Sequence, residues 1–395
     1  MYIVESVGFA REEGQVTNKA RIWPAQLQRA ALLSALLLSG CIPQARSAPT
    51  KSGSPASTAQ PARPLRAAPA AAVTPAQRAL EARVRELGRS FAGEVGIGVR
   101  EVDSGWTTSW NGERLFPQQS VSKFWVAITA LQRVDAGQIS LDDRITLTRR
   151  DLTLFHQPIA RQIGANGYTT TLGDLMFRAI TQSDNTCNDA VLRHAGGPEA
   201  VRAMLARNRI AGIRFGPGER MMQSQIAGLQ WQPAYAVGNA FYQARNSIPL
   251  ERRRTAFESY VDDPIDGATP EGLVDGLTRL QHGELLSPAS TERLLSIMSN
   301  THTGPQRLRG GLAPGWSLAH KTGTGQVLGG TQAGYNDIGI LTSPDGRHYA
   351  VAVMMGRTAT PIQARMALMQ NVTRAVIAFD ESRRFSGSQF SAQRR

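Results

Sequence analysis

Apolar residues fall into a readable rhythm only from Thr74 onward. Thr74 and Pro75 form a helix start, a capping hydroxyl followed by a residue that needs no amide partner. Leu80, Val84 and Leu87 then recur at helical spacing as far as Phe91. Glu94 to Val102 alternates with period two, which puts Val95, Ile97 and Val99 on one face of a strand, and Thr107 to Trp110 reads as its hairpin partner. After Ser120 a strongly apolar helix runs from Phe124 to Asp135 and closes at Gly137. The stretch 145–295 is mainly helical, with several breaks. Strand patterns return at Ser317–Thr322, Gly334–Thr342 and Tyr349–Met355, the last two joined by a Pro344-Asp345-Gly346 turn. An amphipathic helix from Ile362 to Phe379 closes the pattern.

Strands therefore bracket a long helical stretch, and helices stand at both ends. This is an α/β class in which early and late strands share one antiparallel sheet. The α/β part takes 74–144 and 296–382, and an all-helical subdomain takes 145–295. A site belongs in the crevice between the two. Residues 383–395 are expected to be a disordered tail.

The chain before Thr74 reads as an address rather than as fold. Residues 30–40 are a short apolar run behind Arg21 and Arg29, the pattern of a signal peptide (1–40) and too short for a stable bilayer span. The run ends in Leu38-Ser39-Gly40-Cys41, which resembles a bacterial lipobox. That resemblance implies lipidation at Cys41. Plain cleavage near Ala45-Arg46-Ser47 is the alternative and would give a soluble periplasmic form. Residues 41–73, rich in Pro, Ala, Ser and Thr, lack the large apolar side chains needed to fold and form a flexible tether. Both routes lead to the periplasm or cell envelope.

Composition narrows the partners. The net charge of +13 is spread along the chain with no basic run interleaved with aromatics, so it does not mark a nucleic-acid surface. Cys41 borders the apolar run and Cys187 lies inside a helical pattern, so no disulfide is expected and Cys187 reads as a small core residue. Six scattered histidines, without CxxC or HExxH spacing, give no metal cluster, and no cofactor is implied. A monomer is the default.

Three motifs carry candidate chemistry. Ser120-Val121-Ser122-Lys123 opens a helix, which sets a lysine one turn after a serine on the same face, near the positive end of the dipole. Ser183-Asp184-Asn185 follows the helical pattern Leu172, Leu175, Met176, Ala179, Ile180 and runs into another helix. Lys321-Thr322-Gly323, within His320–Gly325, lies on a late strand, where small residues on an edge admit a second backbone. Each alone reads equally well as a helix start, an interhelical turn or a strand end. Together and in this order they resemble the serine β-lactamases and penicillin-binding proteins.

The resemblance runs from about residue 75 to 382 and leans to class A β-lactamases. It is carried further by Leu273-Val274-Asp275-Gly276-Leu277, by Gly283-Glu284-Leu285-Leu286-Ser287 and by Leu312-Ala313-Pro314-Gly315-Trp316. It implies an antiparallel five-stranded sheet flanked by helices on both faces. It implies Ser120 as the nucleophile that opens a β-lactam amide, Lys123 in its activation, and Ser183 as proton relay to the leaving nitrogen. Asn185 would hold the substrate's side-chain amide and order Lys123. Lys321, Thr322, Gly323 and Thr324 would bind the substrate on the edge strand. The backbone N–H groups of Ser120 and Thr324 would form the oxyanion hole. Glu219 stands where class A enzymes keep the carboxylate that drives water onto the ester. Whether Lys123 or Glu219 starts acylation stays open.

Departures from the family are as informative. Its E-x-x-L-N reads here Glu219-Arg220-Met221-Met222-Gln223, so Gln223 replaces the water-holding Asn and reaches about 1.5 Å further. The family closes this loop quickly to an Asp and a Thr-Pro helix start. Here Asp266 and Thr269-Pro270 come only after an insertion at about 224–264 with Trp231, Tyr235, Phe241 and Tyr242. The insertion either covers the site or braces the loop. Arg307 falls where some relatives assist the carboxylate site with an arginine, with Arg365 in reserve. Phe155 or His156 falls at an aromatic gatekeeper position, with core packing open for Phe155. Gln119 precedes the nucleophile, so the cysteine of carbapenem-hydrolysing relatives is absent. A peptidoglycan D,D-peptidase and a catalytically silent binding protein of the same fold are the alternative readings.

Overall fold

The computed structural model describes residues 73–392. The expected signal segment, Cys41 and all but the last residue of the tether lie outside the described residues. Helix α1 (Pro75–Ser90) starts as its sequence requires, with a reciprocal capping box between Thr74 and Gln77. Strands β1 (Val95–Glu101) and β2 (Thr107–Trp110) pair with β3 (Ser317–Thr324), β4 (Tyr335–Thr342) and β5 (His348–Met355) in one antiparallel sheet ordered β2-β1-β5-β4-β3. The strand carrying Lys321-Thr322-Gly323 is thus at an edge.

Both faces of the sheet are covered. Val95, Ile97 and Val99 pack with Leu80, Val84 and Leu87 of α1 and with Leu368, Met369, Val372 and Val376 of the final helix. On the opposite face β1 presents Gly96 and Gly98, followed by Arg100, which pairs with Asp275. A Cβ at Gly98 would lie 2.9 Å from the Pro270 carbonyl oxygen, so the helix Pro270–Gln281 can lie directly on the sheet.

Three sequence expectations need correction. The helix Pro270–Gln281 belongs to the α/β layer, whereas Lys123–Asp135 packs among the helices Leu172–Thr181, Asn185–His194 and Gly197–Arg207. The layers therefore do not divide at 144/145 and 295/296. Nor is the middle all-helical: Arg144–Leu147 and Tyr168–Thr171 form an antiparallel hairpin, consistent with the β-branched run at 169–171. Lastly, the final helix extends from Ile362 to Ala392, so residues 383–392 are helical where a disordered tail was expected. Apolar spacing fades after Phe379, but polar pairs continue the helix. Arg384 donates to Asp380 one turn back at 3.0 Å, and Arg383 pairs with Glu101.

Candidate active site

Ser120 occupies a 3-10 turn, Gln119–Ser122, immediately before the helix that begins at Lys123. The preceding Gln119 has φ of +54°, a left-handed conformation that persists only where its surroundings hold it. They do: its N–H donates to Asp266 Oδ2 at 2.7 Å, and its carbonyl accepts from the Ser122 hydroxyl at 2.7 Å. Lys123 is fully buried and points back along the turn. Its Nζ donates to Ser120 Oγ at 2.6 Å and to Asn185 Oδ1 at 2.8 Å, and forms an ion pair with Glu219 Oε1. This one nitrogen joins three of the residues singled out from sequence.

The Ser183 turn separates Leu172–Thr181 from Asn185–His194, with Ser183 at φ +61°. Its middle residue is structural. The Asp184 carboxylate caps the second helix through the Cys187 N–H at 2.9 Å and holds the Ile159 N–H at 2.7 Å. Asn185 Nδ2 donates to the Leu154 carbonyl at 2.9 Å, fixing the amide so that its oxygen faces Lys123. Cys187 is a buried free thiol, and burial pushes its ionisation far up.

Across the cleft, Lys321 Nζ donates to Ser183 Oγ at 2.9 Å and to the Thr322 carbonyl at 2.8 Å. Burial, then the charges of Lys123 and Arg307, hold its pKa well below the usual lysine range. Gly323 is required by proximity, because a Cβ there would stand 2.4 Å from the Gln118 carbonyl oxygen. Thr322 and Thr303 share a hydrogen bond of 2.6 Å. Arg307 lies over the Tyr335 ring at 3.8 Å and donates to the Gly323 carbonyl at 2.9 Å and to Thr324 Oγ1 at 2.5 Å. Arg365, the reserve, bonds the Thr360 carbonyl and the Gln332 amide and does not line the cleft.

Glu219 and Gln223 lie one turn apart on the helix Glu219–Ile226, and both are buried. The Glu219 N–H donates to Asp189 Oδ1 at 3.0 Å; burial and the nearby Glu219 raise the pKa of Asp189. Gln223 Nε2 donates to Gln119 Oε1 at 2.9 Å and stands 3.4 Å from Glu219 Oε2. Gln326 Nε2 donates to both oxygens of Gln223, at 2.8 and 3.0 Å.

The resulting cleft is lined by Ser120, Phe155, His156, Ser183, Asn185, Gln223, Thr303, Arg307, Thr322, Thr324, Gly325 and Gln326. Phe155 is at its rim rather than in the core, 39% exposed and edge-on to Phe241 of the insertion at 5.1 Å. Behind the cleft, Tyr260, also from the insertion, accepts from Gln119 Nε2 at 2.6 Å and donates to Asp266 Oδ1 at 2.9 Å. Tyr260, Gln326 and Thr303 were not legible as site residues, since none belongs to a motif. Chemically, the arrangement offers a hydroxyl nucleophile, an adjacent amine–carboxylate pair to move its proton, and cationic groups facing across the cleft.

Comparison with known proteins shows the family. The model of the beta-lactamase enzyme family matches residues 79–379. Beta-lactamase VEB-1 of Pseudomonas aeruginosa is 24% identical over 295 residues, 75% of this chain and 88% of that protein. A beta-lactamase of Bacteroides uniformis is 28% identical over 279 residues, 70% of this chain and 82% of that protein. The crystal structure of a beta-lactamase from Chitinophaga pinensis superposes with a TM-score of 0.63 at 29% identity, covering 77% of this chain and 99% of that one.

Proposed function

The chain belongs to the beta-lactamase enzyme family as a class A serine enzyme, and from that premise we propose how it works: it opens β-lactam amides through an acyl-enzyme on Ser120, which water activated by Glu219 then releases. The observation that carries this reading is the threefold contact of Lys123 Nζ with Ser120, Asn185 and Glu219.

In acylation, Ser120 Oγ attacks the lactam carbonyl and loses its proton to the Lys123–Glu219 pair. The two share one close contact and serve together as the base. The tetrahedral oxyanion is received by the N–H groups of Ser120 and Thr324. Ser183, whose oxygen accepts from Lys321 Nζ, turns its own proton toward the departing nitrogen. The loss of Lys321's ordinary basicity supports proton transfer through that contact. Thr322, Thr324, Arg307 and Lys321 hold the substrate carboxylate, and Gly323 lets the edge strand approach. Asn185 orders Lys123 and offers its second N–H to the substrate's side-chain amide.

In deacylation, Glu219 takes a proton from a water held beside it by Gln223, and that water attacks the ester on Ser120. The burial of Glu219 and its separation of 3.4 Å from the Gln223 amide support this pairing. We further place the enzyme in the periplasm or cell envelope, as a monomer, lipid-anchored at Cys41, on the strength of the apolar run 30–40 and the residues that end it. No helix among the described residues is long and apolar enough to cross a membrane.

The test is hydrolysis of a chromogenic cephalosporin by wild type and Ser120→Ala. Rapid turnover that falls at least ~10³-fold in the variant is expected. Wild type that stays acylated for hours would make it a D,D-peptidase-like enzyme, and wild type that never labels would make it a binding protein.

A further inference from the structure

The insertion at 224–264 makes a polar contact behind the catalytic centre through Tyr260. Tyr260, on the helix Leu250–Asp262, is buried, and its hydroxyl sits between Gln119 and Asp266. Its proton goes to Asp266 Oδ1, so its oxygen is free to accept from Gln119 Nε2. That bond settles which way the Gln119 amide faces: nitrogen to Tyr260, oxygen to Gln223. Gln119 Oε1 then accepts from Gln223 Nε2, and the same nitrogen stands beside Glu219 Oε2. An unbroken polar chain therefore runs from the insertion to the carboxylate assigned to deacylation, and every member is buried.

We propose that Tyr260 is a positioning residue for deacylation, acting through the Gln119 amide to orient Gln223 against Glu219. The inference rests on the reading of Glu219 and Gln223 as the water-holding pair. The family's Asn is replaced here by a longer and freer side chain, and a longer side chain needs more anchors to hold one geometry. Gln223 has them on two sides, from Gln119 and from Gln326. The first is itself hydrogen-bonded to the insertion, at Tyr260. The strained Gln119 backbone that sets Ser120 is held directly by Asp266 Oδ2 and by Ser122, and Tyr260 reaches it only through the other oxygen of Asp266, so acylation should respond far less than deacylation.

Removing the hydroxyl should therefore separate the two chemical steps. Tyr260→Phe keeps the ring in place and is expected to slow deacylation about tenfold while acylation stays within about twofold, read by stopped-flow burst kinetics and intact mass with benzylpenicillin. Gln119→Met breaks the chain at its middle, leaves the Tyr260–Asp266 bond, and should reproduce the effect if Tyr260→Phe does not fold. In a Gln223→Ala background, Tyr260→Phe should slow deacylation no further. Equal slowing of both steps, a lowered thermal midpoint with unchanged rates, or additive effects in the double variant would overturn the proposal. Wild type that fails to acylate or to turn over would instead overturn the reading on which it rests, and the inference with it.

Discussion

Ser120, Lys123, Ser183 and Lys321 sit at the starts and edges of regular elements and meet through direct contacts of 2.6 to 2.9 Å. Glu219 and Gln223, by contrast, ride on a short helix whose position depends on Asp189, Gln326, Gln119 and, beyond them, the insertion. In the proposed mechanism the first group forms the acylating half of the cleft and the second the deacylating half. Local backbone geometry secures the former, because a turn, a helix start and an edge strand each leave their side chain little choice. Long-range polar contacts secure the latter.

Lys123 spans both halves, so its removal should have the largest effect. Lys123→Ala is expected to slow acylation at least ~10³-fold in stopped-flow measurements. Acylation within tenfold of wild type would mean that Glu219 serves the first step without it. Gly323→Ala tests how tightly the acylating half is packed. Its Cβ would meet the Gln118 carbonyl at 2.4 Å, and the resulting shift should lower kcat/KM about 10²-fold. A loss under threefold would show that the strand and turn tolerate separation. At the carboxylate end, Arg307→Ala should raise KM for a penicillin about tenfold, whereas Arg365→Ala should leave it within about twofold. The reverse ranking would move the anion site.

Asp266 joins the halves from behind, and its charge offers a smaller, pH-dependent probe. Burial raises its carboxyl pKa from 3.8 to about 7, opposed by hydrogen bonds from Tyr260 and the Gln119 N–H. The folded state then keeps this proton up to neutrality, while the unfolded chain releases it near pH 4. Between those values the folded state binds more protons, so this site's contribution to stability falls as pH rises. The thermal midpoint of wild type should decline between pH 5 and 8 relative to that of Asp266→Asn. Parallel pH profiles would contradict the shift.

The same contrast explains what could be read from sequence. Ser120, Lys123, Ser183, Asn185 and Lys321 were recognisable because their contacts follow from short spacing or from a motif on a predictable element, whereas Arg307 rested only on where some relatives place an arginine. Apolar periodicity likewise delineated the five strands and the first helix, whose cap at Thr74 is local chemistry. Glu219 was found only by counting from Ser183, and Gln223 only as a departure. Tyr260 and Gln326 carry no local signal: the contacts that join them to the site, with Gln119 and Gln223, span more than a hundred residues. The layer boundaries escaped for a related reason. The helix Pro270–Gln281 joins the sheet because Gly96 and Gly98 make room for it, which no periodicity of the helix itself reveals. The final helix outran its apolar pattern because Arg383 and Arg384 anchor it through charges.

In the proposed mechanism Glu219 serves release of the acyl group from Ser120. Intact mass after a brief pulse of benzylpenicillin, comparing wild type with Glu219→Gln, reads this step. Wild type should be free of adduct within seconds, and the variant should carry one penicilloyl group on Ser120 for minutes or longer. A variant that clears its adduct as fast as wild type would contradict it.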